Sequence, residues 1–266
     1  MATHDLTNEA YHAHPAISRS ALSYIARSPR HYWARYRDPD ATPEPPTPAM
    51  LFGTAVHTAV LEPELFVELY DVGPSSSKLT KAWKEAFAAA QAEGKSLLTQ
   101  EEFDLIEGIR HSLRLHPSAK KALDAKGETE ASYIAKCPVS GLELKARADR
   151  LTESGWVVDL KTTQDASAAG FAKSVANFSY HLQAAFYLHV IEAATGKRPK
   201  GFLFLAVEKS RPFAVQVFRA SSLMLEQGTK EMFLHLETLA HCIEKDQWPS
   251  YSDGLVDLDL PPWARR

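Results

Sequence analysis

Gly155-Trp156-Val157-Val158-Asp159-Leu160-Lys161-Thr162-Thr163 is the stretch around which the rest of the chain is organised. Trp and two Val in succession, followed by a polar end, read as a short and mostly buried strand. Side chains alternate across a strand, so Asp159 and Lys161 point to one face while Val158 and Leu160 point to the other. An acid and an amine at the end of an apolar strand are costly to desolvate unless something uses them. A divalent ion would use both, the carboxylate as an oxygen ligand and the amine as a neighbour of activated water. An exposed ion pair would account for the same two residues, and Asp-x-Lys alone is common, so the surrounding segments decide.

The segment Leu144-Lys145-Ala146-Arg147-Ala148-Asp149-Arg150 alternates small apolar and charged residues, as a half-buried strand does. Thr152-Glu153-Ser154-Gly155 then turns the chain into the Asp159 strand. A hairpin of this kind brings Asp149 toward Asp159 and Lys161. Ser132 to Ala135 begin an earlier strand, turned by Pro138-Val139-Ser140-Gly141. Downstream, residues 180–194 read as a helix, with Gln183 and Tyr187 four apart on one face. They either hydrogen-bond locally over the sheet or reach toward a nucleic-acid backbone or the lysine. Gly201 to Val207 and Phe213 to Phe218 read as two further strands, and Ser221 to Lys245 as a long amphipathic helix.

The first half is helical in pattern. Residues 17–36 read as one or two helices, the first capped by Ser18 with Ala21, Leu22 and Ile25 as its apolar stripe. Pro29 opens a second short helix carrying Tyr32, Trp33 and Tyr36. From Ala10 to Arg37 there is no acid, while Arg19, Arg27, Arg30, Arg35 and Arg37 fall there. Arginines among aromatics suit a nucleic-acid track, and solvated arginines over core aromatics fit the same pattern. Ser18, Arg19 and Ser20 together suit a terminal phosphate at a helix N-terminus. Pro39, Pro43, Pro45, Pro46 and Pro48 mark an extended loop. A helix over about 49–61 follows, with Met50, Val56 and Val60 facing the core and Gly53 and His57 one turn apart. Gly73 to Ser77 is a polar turn, Thr80 to Glu93 is helical, and Thr99 with Glu102 forms a capping box.

At 266 residues, 45% hydrophobic and 24% charged, the chain has the size and composition of a soluble globular protein with a substantial core. No apolar run is long enough to span a membrane. Met1-Ala2-Thr3-His4-Asp5 lacks the basic and apolar regions of a secretory signal, so cytoplasmic residence is expected. Cys137 and Cys242 are expected to be reduced. Two cysteines cannot complete a four-cysteine iron–sulfur site. A net charge of −3 does not exclude nucleic acid, because the acids lie away from the arginine-rich opening.

Asp149 followed by Asp159-Leu160-Lys161 resembles the PD-(D/E)xK nuclease signature. Gly53-Thr54-Ala55-Val56-His57 is similar to the upstream motif of the RecB-like branch, and Gln183-Ala184-Ala185-Phe186-Tyr187 to its downstream motif. Ile17 to Ser20, Pro29 to Trp33 and Pro48-Ala49-Met50 resemble the nuclease domain of the exodeoxyribonuclease VIII (RecE-like) enzymes and their phage relatives. The resemblance runs from about residue 8 to the Trp248-Pro249 region. It implies one PD-(D/E)xK domain over 1–266: an α/β (α+β) fold with a mixed central sheet flanked by helices and a restriction-endonuclease-like core. Residues 1–127 are then the N-terminal helical elaboration, 128–220 the catalytic sheet and 221–266 the C-terminal helix and tail.

The activity implied is Mg²⁺-dependent hydrolysis of linear double-stranded DNA from the 5′ end, leaving 3′ single strands for recombination, with Mn²⁺ as a substitute ion. His57, Asp149, Asp159 and the Leu160 carbonyl are the implied metal ligands. Lys161 positions or deprotonates the attacking water, Gln183 and Tyr187 assist, and Glu130 stands where RecB-like nucleases carry an accessory acid. Arg19, Ser18, Ser20, Arg30 and Arg35 are the expected DNA contacts. A homo-oligomeric ring and a single-strand annealing recombinase are the implied partners. An endonuclease of the same fold and a non-catalytic DNA-binding or assembly protein are the competing readings.

Overall fold

Strand Trp156–Thr163 lies at the centre of a five-stranded mixed sheet in the computed structural model, which describes residues 6–42, 45–75, 77–261 and 264. Met1–Asp5, Pro43 and Ser76 fall outside the described residues. The helices are α1 (Asn8–Ala13), α2 (Arg19–Arg27), α3 (Pro29–Tyr36), α4 (Pro48–Leu61), α5 (Pro63–Leu69), α6 (Lys81–Ala92), α7 (Gln100–Leu115), α8 (Pro117–Asp124), α9 (Ala168–Asn177), α10 (Tyr180–Thr195) and α11 (Ser222–Lys245). The sheet runs in the order β3 (Gly127–Lys136), β4 (Glu143–Thr152), β5 (Trp156–Thr163), β6 (Gly201–Glu208) and β7 (Val215–Arg219). A separate parallel pair joins β1 (Tyr70–Val72) to β2 (Ser96–Leu98).

The central pairing is parallel, β5 with β6 from Trp156↔Gly201 to Thr163↔Glu208, and every other pairing in the sheet is antiparallel. A parallel neighbour demands a crossover, which α9 and α10 supply. The alternation expected of β5 holds. Val157 joins the cluster under α10 and α11 with Phe186, Phe202 and Phe204. Val158 and Leu160 join the opposite cluster, with Val56, Ile106, Ile109 and Leu113 of α4 and α7. The sheet is thus covered on both faces, which explains the near-continuous apolar run of β6. The hairpin into β5 turns at Gly155, whose φ of +85° an L side chain seldom adopts. Gly228 lets α11 approach α10, since a Cβ there would lie 2.1 Å from the His181 carbonyl oxygen.

Several local expectations are corrected. Met50 is 61% exposed rather than core, because α4 buries Ala55, Val56 and Ala59 instead. The last strand begins at Val215, not Phe213, which sits in a turn at φ +56° with its ring beside Gly108. Ser18 stands at the N-cap of α2 without capping it, since its hydroxyl bonds the Ser20 hydroxyl at 2.8 Å. Helices α1, α5, α8 and α9 carried too short or too mixed a pattern to be read in advance. Cys137 and Cys242 are both free and buried. Among the described residues, no helix is long and apolar enough to cross a membrane.

Candidate active site

The site forms where two strands part. β4 pairs with β5 only at Arg150↔Val158 and Leu151↔Val157. Beyond that point β4 takes Ile17 as its neighbour: Ile17 N–H donates to Glu143 O, and Lys145 N–H donates to Ile17 O, both at 2.8 Å. Asp149 stands at the fork. Its Oδ2 accepts the Leu160 N–H at 2.7 Å, so a side chain supplies the bond that the parted backbone cannot.

Asp149 gathers two further ligand types. His57, on α4, places Nδ1 3.4 Å from Asp149 Oδ2. Glu130 on β3 lies opposite Asp149, between the paired positions Thr129↔Arg150 and Ala131↔Ala148, but drops out of the ladder. Its φ is +50°, a sparsely populated conformation for a side chain of this size. One ligand atom from each of His57, Glu130 and Asp149 falls within 4.8 Å of the other two. Burial pushes the Glu130 carboxyl up to about 8, and the Asp149 charge pushes in the same direction, against the pull of Arg147. Two carboxylates and an imidazole converging in this way fit a divalent cation by their donor chemistry.

Asp159 stands outside that group. It is 1% exposed. Gln183 Nε2 donates to its Oδ1 at 2.7 Å, so Gln183 grips the carboxylate rather than Lys161 or an outer surface. Lys161 Nζ approaches Oδ2 to 2.6 Å, an ion pair held almost wholly out of solvent. Burial raises Asp159 to about 6, as does Asp149, while Lys161 and His57 hold it down. For Lys161, burial opposes the charged form, but Asp159 and Asp149 outweigh it and the amine is raised above its ordinary range. The Tyr180 ring lies beneath it, 4.9 Å from Nζ. Tyr180 escaped the sequence reading, although it opens the same helix as Gln183. Tyr187 is half-buried against Phe202 at a ring distance of 6.3 Å, and burial raises its phenol well above the usual range.

Of the expected DNA contacts, Arg19 is close enough to this centre to interact with the Asp159 charge. Its guanidinium donates to the carbonyls of Phe178 and Ser179, the turn that opens α10. Its Nε is buried without a partner. Arg30 lies 4.4 Å from the centre of the Trp33 ring, and Arg35 is half-buried. Arg27 and Arg37 meet residues of the C-terminal tail, the Tyr251 hydroxyl at 3.3 Å and the Trp248 ring at 5.2 Å. Glu62, another residue missed in the sequence, adds to the negative charge around Glu130 from the end of α4.

Acid pair, lysine and imidazole around a fork in a mixed sheet place the protein among the nucleases of the PD-(D/E)xK class. The chain belongs to the family described as a PDDEXK-like domain of unknown function (DUF3799), whose model matches residues 18–257. Among solved structures, a protein from Eubacterium rectale described as a candidate exonuclease is similar at a TM-score of 0.68, with 13% identity over 97% of this chain and 96% of that one. The structure of SSO0001 aligns at 15% identity over 68% of this chain and 85% of that one, with a TM-score of only 0.29. No curated protein matches the sequence.

Proposed function

We propose that the protein is a divalent-metal-dependent deoxyribonuclease that digests linear double-stranded DNA from its 5′ end and leaves 3′ single strands for recombination. One observation carries this reading: the His57–Glu130–Asp149 cluster sits beside a buried Asp159–Lys161 ion pair at one strand fork. His57, Glu130 and Asp149 would hold the ion, with Asp159 and the Leu160 carbonyl at its side, and oxygen-rich donors of this kind suit Mg²⁺ or Mn²⁺. When bound, the ion supplies Lewis acidity to the scissile phosphate and lowers the pKa of the attacking water.

The protein's own groups do the rest. Lys161 is held protonated by its neighbouring carboxylates, so it places a fixed positive charge where negative charge builds on the phosphate, and it orients the water. Gln183 fixes the Asp159 rotamer by occupying Oδ1, which leaves Oδ2 turned to the cations. The Tyr180 ring covers Lys161 and narrows its approach to bulk water. Arg19, with Ser18 and Ser20, receives the 5′-terminal phosphate, using guanidinium donors left over from the Phe178 and Ser179 carbonyls. Arg30 and Arg35 extend this positive surface along α3. A cytoplasmic homo-oligomeric ring that hands its 3′ strand to an annealing recombinase follows from the resemblance to RecE-like enzymes.

The test is incubation of the purified protein with linear and circular duplex, with and without Mg²⁺. Mg²⁺-dependent loss of the linear form alone is the expected result. Cleavage of the circle identifies an endonuclease of the same fold, and binding without cleavage of either identifies a non-catalytic DNA-binding protein.

A further inference from the structure

Arg147 stands two residues before Asp149 and takes no part in the mechanism above. Its guanidinium holds two regions at once. Nε donates to the backbone carbonyl of Glu130 at 2.9 Å and lies 3.8 Å from the Glu130 carboxylate. Nη1 donates to Asn8 Oδ1 at 3.0 Å, Nη2 donates to the Leu6 carbonyl, and the guanidinium carbon lies 5.2 Å from the Tyr11 ring centre. Lys145, on the same face of β4, fastens the other end of this segment: Nζ donates to the carbonyls of Tyr11 at 2.6 Å and His14 at 2.7 Å. Residues 6–14 are therefore strapped to β4 by two cations.

Glu130 needs such an anchor. It is left-handed at φ +50°, outside the β3–β4 ladder and opposite Asp149, a like charge. A relaxed extended residue there would rejoin the ladder and carry its side chain elsewhere. Among the described residues, Arg147 is the one cation within ion-pair distance of the Glu130 carboxylate, and it also holds the Glu130 carbonyl. A planar guanidinium can bond in several directions at once, and an ammonium cannot match that spread.

We infer that Arg147 is a positioning residue that couples docking of the N-terminal segment, residues 6–14, to the placement of Glu130 in the metal cluster. Coupling is reciprocal, so a divalent ion at the cluster should also order that segment. The inference rests on the metal-site reading above, and its test separates the two. Mn²⁺ affinity is measured by calorimetry without DNA, and amide hydrogen exchange across residues 6–14 is followed with and without Mn²⁺. Arg147→Lys should weaken Mn²⁺ binding about tenfold, the scale expected when a group that orients a ligand is lost. The parent should gain exchange protection in residues 6–14 on binding Mn²⁺, and Arg147→Lys should lose that gain. Asn8→Ala, an exposed change at the far end of the strap, tests the same link if Arg147→Lys does not fold, and it too should weaken Mn²⁺ binding. Mn²⁺ affinity equal to the parent in whichever variant folds, or exchange in residues 6–14 that ignores Mn²⁺, overturns the inference and leaves the metal site standing. A parent that binds no Mn²⁺ overturns both.

Discussion

Glu130→Gln gives the sharpest test of the metal cluster, because its effect appears in the absence of both metal and DNA. Burial and the Asp149 charge raise the Glu130 carboxyl from an ordinary value near 4.5 to about 8. Between those values the folded protein holds a proton that the unfolded chain has released, so stability falls as pH rises. The contribution is fully present below 4.5 and is lost as pH passes through 8. From pH 6 to pH 8 the loss amounts to about 2 kcal/mol. For a chain of this size that corresponds to roughly 4–8 °C in Tm. Gln keeps the shape and removes the titration, so the variant in EDTA should lack this part of the pH slope and be more stable than the parent at pH 8. Adding Mg²⁺ at pH 8 should raise the parent's Tm, since the ion replaces the proton, and raise the variant's Tm much less. The assay is thermal unfolding at pH 6 and pH 8, with EDTA or Mg²⁺. Parallel pH slopes for parent and variant in EDTA would refute the crowding of negative charge at this fork.

Asp159→Ala should lower hydrolysis at least a hundredfold, because ion placement and the Lys161 partner are lost together, while DNA binding persists in a gel-shift assay. Lys161→Ala should retain Mn²⁺ affinity and lose turnover, and Lys161→Arg should not restore it, since the guanidinium is longer and planar; single-turnover rates decide this. Arg19→Ala should abolish the preference for 5′-phosphorylated over 5′-hydroxyl linear duplex, and equal behaviour of parent and variant on both ends would reduce Arg19 to its structural bonds with Phe178 and Ser179.

The parts of the site legible in the sequence are those in which local pattern and chemistry coincide. Trp156-Val157-Val158 is apolar enough to fix a central strand, and period-2 alternation then places Asp159 and Lys161 together. The four-residue spacing of Gln183 and Tyr187 survives for the same reason, because α10 is regular throughout. What could not be read depends on distant partners. A left-handed Glu130 has no sequence mark, since glutamate is disfavoured there and the groups that meet it, Arg147 and the broken ladder, come from β4. The fork is equally silent: the alternating run 144–150 would look the same if it paired with β5 along its whole length. Met50 belongs to the apolar stripe of α4 in pattern, but the face that meets the sheet lies further along the helix. The arginine-rich opening had the right composition, yet its residues divide among three tasks: Arg19 at the α10 turn, Arg30 on Trp33, and Arg27 and Arg37 against the tail.

On the metal-site reading proposed above, charge arithmetic around the fork gives the ion its role. Glu62, Asp149 and Asp159 all bear on the Glu130 carboxylate, and Asp159 is itself buried. The nearby cations are already committed: Lys161 to Asp159, Arg147 to Glu130 and the N-terminal segment, and Arg19 to two carbonyls. A phosphodiester entering this space meets like charge on several sides, and at contact distances with little water between, that repulsion is far larger than it would be at the surface. Burial first, and the neighbouring acids second, raise both the Glu130 and Asp159 carboxyls, so protons relieve the crowding in the free protein. Protons neutralise the acids but add no positive charge beyond that of Lys161 and Arg19. A divalent cation does both, because it exceeds any single side-chain charge in the site and reverses the sign of the potential there. On the proposed reading, the same carboxylates that would repel nucleic acid from the metal-free site become the reason that it enters the loaded one.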